Sequence, residues 1–301
     1  MAHNKAGMNF KPLIHKLGLA VLTLGEKWFQ IPDLAKAEKR GAKLTNLVIR
    51  FDKKHRNQTI ANLALAFPEK SQAERDQIGK DMVNHFGYII ADFVRSPIRT
   101  DEELTASTTV EGREILDRLI AEKKGILLVS AHLGNWERFG QWIPLQGVTG
   151  SGVARNANDD EITERVTKIR GERGLNILSR GNAAREILTR LKAGEVIVIM
   201  PDQNADDAFI PFFGHIAGTV LGPAVIHLKT KAPILPVCIL RTGPGTYKVV
   251  IREPLVANEG EKSEELMTRV NAEIEAMIRL APEQYLWMHD RWRNARRKGL
   301  L

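Results

Sequence analysis

Residues 125–140 read GILLVSAHLGNWERFG, and the fold follows from how this stretch is parsed. Ile126 to Val129 form a short apolar run entered through Lys124 and Gly125, the pattern of a buried strand in an α/β sheet. Gly134 and Asn135 end the run. Asn135 is a suitable N-cap, so a helix is expected from Trp136 with Glu137 in its first turn. His132 and Glu137 are five positions apart. On a continuous helix they would stand roughly 140° apart, at about 100° per residue, and could not share a face. A strand-to-helix turn instead lets both converge at the C-terminal edge of the sheet, where open α/β folds place their ligands. In that geometry His132 is a candidate general base, and Glu137 a candidate orienter that stabilises the imidazolium. The same spacing also arises where a histidine and a glutamate merely cap a helix.

Downstream of Val110, short apolar runs alternate with helical patterns. Helices are expected at 112–122, from 135, at 159–173, 182–193, 222–230 and 261–280. Strands are expected at 126–129, 195–200, 234–241 and 247–251, with a short extended run at 152–154. This alternation predicts an α/β fold with a mostly parallel central sheet flanked by helices. Upstream, residues 33–66 alternate apolar and basic positions as helix up to Phe67-Pro68. Ser71 with Glu74 forms a capping box that starts a helix with Ile78, Met82, Phe86, Ile89, Ile90 and Phe93 on its buried face, stopped by Ser96-Pro97. Residues 10–29 place Leu13, Leu17, Val21, Leu24 and Trp28 on one stripe. Their charge-free core, 17–25, is nine residues long. A spanning helix needs about 20 apolar residues, so an interfacial segment is expected. An ordinary core helix is the alternative, and Gly25-Glu26-Lys27 offers no signal-peptide cleavage site. The expected organisation is a helical membrane-associating region, 1–100, packed on an α/β body, 101–301.

Further stretches share an order with the histidine box: Asn62-Leu-Ala-Leu-Ala-Phe-Pro-Glu69, Pro201-Asp202-Gln203, Pro211-Phe-Phe-Gly214 with Gly218-Thr219, and Pro282-Glu-Gln-Tyr-Leu-Trp287 with Arg291-Trp292. Together with His132-Leu-Gly-Asn-Trp-Glu137 they resemble the bacterial late lipid A (lauroyl/myristoyl) acyltransferases of the lysophospholipid acyltransferase-like superfamily, over about residues 10 to 295. Mycobacterial phosphatidylinositol mannoside acyltransferases are relatives of that family. Pro201 stands where the family usually has alanine. With the weak N-terminal hydrophobic segment, it leaves the mannoside or another glycolipid open as acceptor. The resemblance implies transfer of a fatty acyl chain from an acyl carrier protein or acyl-CoA to a lipid hydroxyl, at the cytoplasmic face of the bacterial inner membrane, by a peripheral or monotopic enzyme.

Composition agrees with a folded chain: 43% hydrophobic and 27% charged residues over 301 positions. The one cysteine, Cys238, lies in an apolar run and reads as an inert buried thiol. Residues 1–60 hold twelve Lys/Arg against four acids, and residues 285–301 hold five bases against Asp290, so the net charge of +8 comes from the two ends. Such ends suit an anionic membrane face or an acidic carrier protein. A basic membrane- or nucleic-acid-binding protein with a structural histidine box is the rival from another class.

Acyl transfer needs a base, donors for the oxyanion, an acyl groove and positive charge for anionic groups. His132 supplies the first. There is no G-x-S-x-G serine, and Cys238 sits in an expected core strand, so direct attack in a ternary complex is favoured over an acyl-enzyme. Arg155, Arg170 and Arg173 are candidates for the oxyanion or a headgroup, with backbone N–H groups after Asn135 as a further source of positive potential. Related enzymes carry an arginine near the last two, without choosing between them. Asp202 and Gln203 follow an expected strand and should emerge at the same edge as His132, either in substrate binding or in a strand-ending turn. Phe213, Gly214 and Thr219, with Phe209 and Phe212, suggest an acyl-lining loop or core aromatics. Tyr285, Trp287 and Trp292 among arginines suit a membrane interface or base stacking. Zinc, Walker A and dinucleotide signatures are absent, so neither metal nor cofactor is expected. Deleting residues 1–30 should reduce liposome sedimentation more than it alters the circular dichroism spectrum, and unchanged sedimentation would remove the interfacial segment.

Overall fold

A computed structural model describes residues 23–154, 160–179 and 183–301. The stripe residues Leu13, Leu17 and Val21, together with Arg155, lie outside the described residues. The 33–66 run is two helices, α1 (Leu34–Phe51) and α2 (Lys53–Ala66), because Asp52 both ends the first and caps the second. Its side chain accepts the His55 N–H at 3.1 Å. The capping box at Ser71 and Glu74 is formed and opens α3 (Gln72–Arg95). Helices α1 and α3 touch backbone to backbone at Gly41 and Gly87. A Cβ on Gly87 would lie 2.3 Å from Ala42 N, and one on Gly41 would lie 2.0 Å from Gly87 O. Arg95 closes the start of this layer by donating to the carbonyls of Phe29, Gln30 and Pro32 at 2.6–2.8 Å.

The body follows as α4 (Asp101–Ala106), β1 (Thr108–Glu111), α5 (Arg113–Ala121), β2 (Ile126–Val129), α6 (Trp136–Trp142), β3 (Gly150–Ala154), α7 (Asp160–Gly171), β4 (Asn176–Ser179), α8 (Ala183–Lys192) and β5 (Val196–Ile199). Then come β6 (Ala208–Phe212), β7 (His215–Thr219), α9 (Gly222–Thr230), β8 (Ile234–Gly243), β9 (Thr246–Ile251), α10 (Ser263–Leu280) and α11 (Arg293–Arg297). A seven-stranded sheet has the order β1-β9-β8-β2-β5-β3-β4. Every pairing is parallel except β8 with β9. The mostly parallel sheet with flanking helices is therefore as the apolar runs imply. Strands β1 and β4 are additions: β1 alternates half-buried and exposed residues, and β4 has only Ile177 and Leu178 between the polar Asn176 and Ser179, so neither gives a continuous apolar run.

Strand β2 is central, buried on both faces, between β5 and β8. Leu127 and Val129 join the core under α9 and α10, while Ile126 and Leu128 join the one under α5 and α6. Cys238 on β8 is fully buried, and burial pushes its thiol up to about 12.

The stretch 209–219, read as a loop, is instead an antiparallel hairpin turning at Phe213-Gly214. Both residues have positive φ, 50° and 73°, as a tight two-residue hairpin turn of primed type demands. Arg95 and buried Phe29 tie down residues 29–32, so a truncation testing the N-terminal segment belongs before residue 23. At the helix crossing, Gly87→Ala should destabilise the protein by about 1–3 kcal/mol or more, because the added methyl meets backbone that cannot swing aside. Thermal unfolding followed by circular dichroism would show this as a lowered midpoint, and an unchanged midpoint would contradict the close crossing.

Candidate active site

Parallel pairing places Val129 of β2 beside Ile199 of β5. Counting three residues on from each reaches His132 and Asp202, so the two leave the sheet edge side by side. The Asp202 carboxylate accepts twice from His132, from the backbone N–H at 3.0 Å and at ring Nδ1 at 2.9 Å. With Nδ1–H donating to Asp202, Nε2 keeps its lone pair. The Gln203 amide faces Nε2 at 3.4 Å, and the ring retains 17% of its side-chain exposure while Asp202 retains 2%. Thus His132, Asp202 and Gln203 come together at the edge, as expected.

The orienting partner differs from the expectation. Glu137 does not hold the imidazole; its carboxylate accepts a bidentate pair from Arg170, Nε at 2.8 Å and Nη2 at 2.5 Å. The local H-x4-E spacing puts Glu137 on α6 and turned toward α7, whereas Asp202 arrives through strand pairing. Glu137 acts on the ring only through its charge. Burial alone would lower the His132 pKa, but the charge and hydrogen bond of Asp202, with the Glu137 charge, outweigh it and the net direction is upward. For Asp202, burial pushes upward and the His132 charge and hydrogen bonds pull the net value down.

The backbone of the box is held from several sides. Gly134, at φ 61°, is pressed so closely on β8 that a Cβ would lie 1.6 Å from Ile239 O. Asn135 caps α6 through the Arg138 N–H at 3.0 Å, and its amide donates to Asp92 at 2.9 Å and Tyr247 at 3.0 Å. The 284–287 segment clips the turn: Gly134 N donates to Gln284 O and Leu286 N to His132 O, both at 3.0 Å. That segment is anchored in turn by Asn62, whose amide donates to Trp287 O at 2.8 Å and His289 O at 2.7 Å.

Several candidates are scaffold. Arg173 is spent on Asp101, Ser96 and the Arg99 carbonyl, at 2.7–3.1 Å, and is not presented to a ligand. Phe213 is buried, edge-to-face with Phe67 at 5.5 Å and Trp287 at 5.7 Å, and Gly214 completes the hairpin turn. Thr219 is fully buried and its hydroxyl accepts from Arg291 at 2.7 Å. Tyr285, Trp287 and Trp292 are 3, 1 and 0% exposed, so the expected interfacial role gives way to aromatic packing in the core.

Arg291 was not singled out as a charge near the site. Buried and bonded to Gly218 O and Thr219, it lends its charge to the lowering of Asp202. The signal is its place in the Arg291-Trp292 stretch that shares an order with the histidine box. Among the described residues no group of three or more His, Cys, Asp or Glu is placed to hold a metal ion. A crevice of about 540 Å³ beside α7, lined among others by Gln30, Val94, Pro97, Arg165 and Lys168, does not include His132.

Comparison with known proteins supplies a class for this geometry. The family model described as bacterial lipid A biosynthesis acyltransferase matches residues 9–294. A lipid A biosynthesis lauroyltransferase of Escherichia coli (strain K12) is 28% identical over 262 residues, 84% of each chain. A lipid A biosynthesis palmitoleoyltransferase of the same strain is 27% identical over 284 residues, 92% of this chain and 90% of its own. A phosphatidylinositol mannoside acyltransferase of Mycobacterium tuberculosis is 25% identical over 187 residues, 60% of this chain and 59% of its own.

If Asp202 is the partner that raises the His132 pKa, Asp202→Asn should lower it, read by titrating the imidazole resonances in NMR. Glu137→Gln should lower it less, and an Asp202→Asn value equal to the wild type would refute the pairing.

Proposed function

The chain belongs to the bacterial lipid A biosynthesis acyltransferase family, and on that premise we propose that it moves a fatty acyl chain from an acyl thioester to a hydroxyl of a lipid A precursor or related glycolipid. The observation that carries the chemistry is the orientation of one ring: Nδ1 on the Asp202 carboxylate and Nε2 facing the Gln203 amide. Nε2 takes the proton of the acceptor hydroxyl as its oxygen attacks the thioester carbonyl. A carbon–oxygen bond forms, the carbon–sulfur bond breaks, and the departing thiolate takes the proton back from the imidazolium. Asp202 fixes the tautomer and stabilises the imidazolium, as a buried carboxylate does behind a catalytic histidine. Gln203 is the group a hydroxyl replaces at Nε2.

Arg170 is the described arginine that remains for substrate. Glu137 engages its Nε and Nη2, which leaves Nη1 to reach an anionic headgroup or the developing oxyanion. Glu137 then positions Arg170 rather than the base. Arg155 is the second candidate for that charge.

The donor is an acyl carrier protein or acyl-CoA, and the basic N-terminal region, residues 1–100, associates with the anionic cytoplasmic face of the bacterial inner membrane. No helix among the described residues is long and apolar enough to cross a membrane, which fits peripheral association. Nucleic acid is not proposed as a partner. The similarity to a phosphatidylinositol mannoside acyltransferase supports that glycolipid as the second acceptor.

Replacing His132 by Ala should cut turnover by about 10²–10⁴-fold, the usual worth of a positioned base, while liposome sedimentation is retained. Equal activity would leave the histidine box structural. The base works when neutral, so a raised pKa moves the acid limb of kcat/KM to higher pH than an ordinary histidine would give, and Asp202→Asn should shift that limb down while lowering kcat. Mass spectrometry of lipids from cells lacking the protein would show which glycolipid loses an acyl chain.

A further inference from the structure

Helix α1 turns small residues inward and, Ile49 and Leu34 apart, its large apolar residues outward. Ala37, Glu38 and Gly41 are its buried positions. Glu38 is held by Arg241, with Nη2 at 2.5 Å, Gly41 is pressed on Gly87, and the Thr45 hydroxyl donates to Val83 O at 2.8 Å. Leu44, Leu47, Val48 and Phe51 are 40, 53, 58 and 82% exposed. They recur at i, i+3, i+4 and i+7, a single stripe spanning about 100°. A helix lying on a body in water carries the opposite arrangement.

The charges name what covers the stripe. At about 100° per residue, Lys36, Lys39, Lys43 and Arg50 fall together on the flank of the stripe that faces away from the body. Residues 34–66 hold eight Lys/Arg against Glu38 and Asp52, and Glu38 is buried on Arg241. One turn before Leu44, Arg40 lies over the ring of half-exposed Trp28 at 5.1 Å, which extends the apolar surface with an aromatic and a cation. An apolar stripe bordered by bases and an interfacial tryptophan is complementary to an anionic lipid surface, with side chains entering the acyl boundary and cations at the phosphates.

We infer that the outer face of α1, Leu44, Leu47, Val48 and Phe51 with Lys43 and Arg50, docks on an anionic bilayer. This contact adds to the one expected of residues 10–29 and adjoins it at Trp28. It also sits close to the chemistry. Gly87 of α3 touches α1, its neighbour Phe86 meets Trp136 at 5.7 Å, and Trp136 meets the His132 ring at 5.4 Å. The inference rests on the acyltransferase reading only in taking a lipid as the reason to be at a membrane, and its test reads vesicle binding, with transfer in detergent as the control.

The full chain carrying Leu47→Glu with Phe51→Glu, or Lys43→Glu with Arg50→Glu, is sedimented with phosphatidylethanolamine–phosphatidylglycerol vesicles and with phosphatidylcholine vesicles. The apolar pair should lower partitioning at least about tenfold on both, because two large side chains no longer leave water. The charge pair should lower it on the phosphatidylglycerol vesicles alone, and less so at high salt. Unchanged partitioning of the apolar pair overturns the inference. So does a lowered thermal midpoint of that pair with normal partitioning, which would mean that residues 1–22 cover the stripe. A dimer-to-monomer shift on gel filtration also overturns it, since a second copy would then be the occupant. Loss of membrane binding with intact transfer to a detergent-dispersed acceptor separates this result from failure of the His132 reading.

Discussion

A buried carboxylate and a nearly buried imidazole stand at the ends of two neighbouring parallel strands, and the site is built around their contact. Asp202 has lost its water, so it needs the two His132 donors and the field of Arg291 to remain charged. Removing the ring would leave an uncompensated charge in the interior, which is far more costly than removing a solvated pair. The register of β2 on β5 is therefore under chemical as well as packing constraint. A slip by one residue would part the two side chains and also turn every apolar side chain of β2 to the other face.

Several residues of the stretches that share an order with the histidine box bond to backbone around the turn that carries His132. Asn62 bonds the carbonyls of Trp287 and His289, Gln284 pairs with both backbone groups of Arg241, and residues 284–286 bond the turn that carries His132. Phe67, Phe213 and Trp287 meet edge-to-face at 5.5–5.7 Å, with the Arg279 guanidinium over the first two rings. These groups hold the backbone on either side of the histidine turn, the kind of support a positioned side chain needs.

The strand, the turn and the cap around His132 were legible because each is local: an apolar run, a glycine at positive φ, an asparagine whose side chain caps three residues on. The strand alternation gave the sheet for the same reason. The acid behind the histidine was not legible from spacing, since Glu137 is near in sequence and Asp202 is near only through β-pairing seventy residues away. Composition misled at Tyr285, Trp287 and Trp292, where aromatic residues among arginines look interfacial but face the core. The hairpin around Phe213 and Thr219 was hidden for a related reason: a glycine-punctuated aromatic stretch can be a loop or a hairpin, and only the partner strand decides.

The clasp between Asn62 and Trp287 joins positions 225 residues apart. During synthesis the α1–α3 layer can form early from its own local contacts, but the histidine turn has no strap until the 282–292 segment has left the ribosome. Loop closure of this length is slow compared with helix formation. A nascent chain therefore carries its apolar helix face for many seconds before the His132 turn is set, at translation rates of about 5–20 residues per second. Delivery to a lipid surface can precede the ability to act on it.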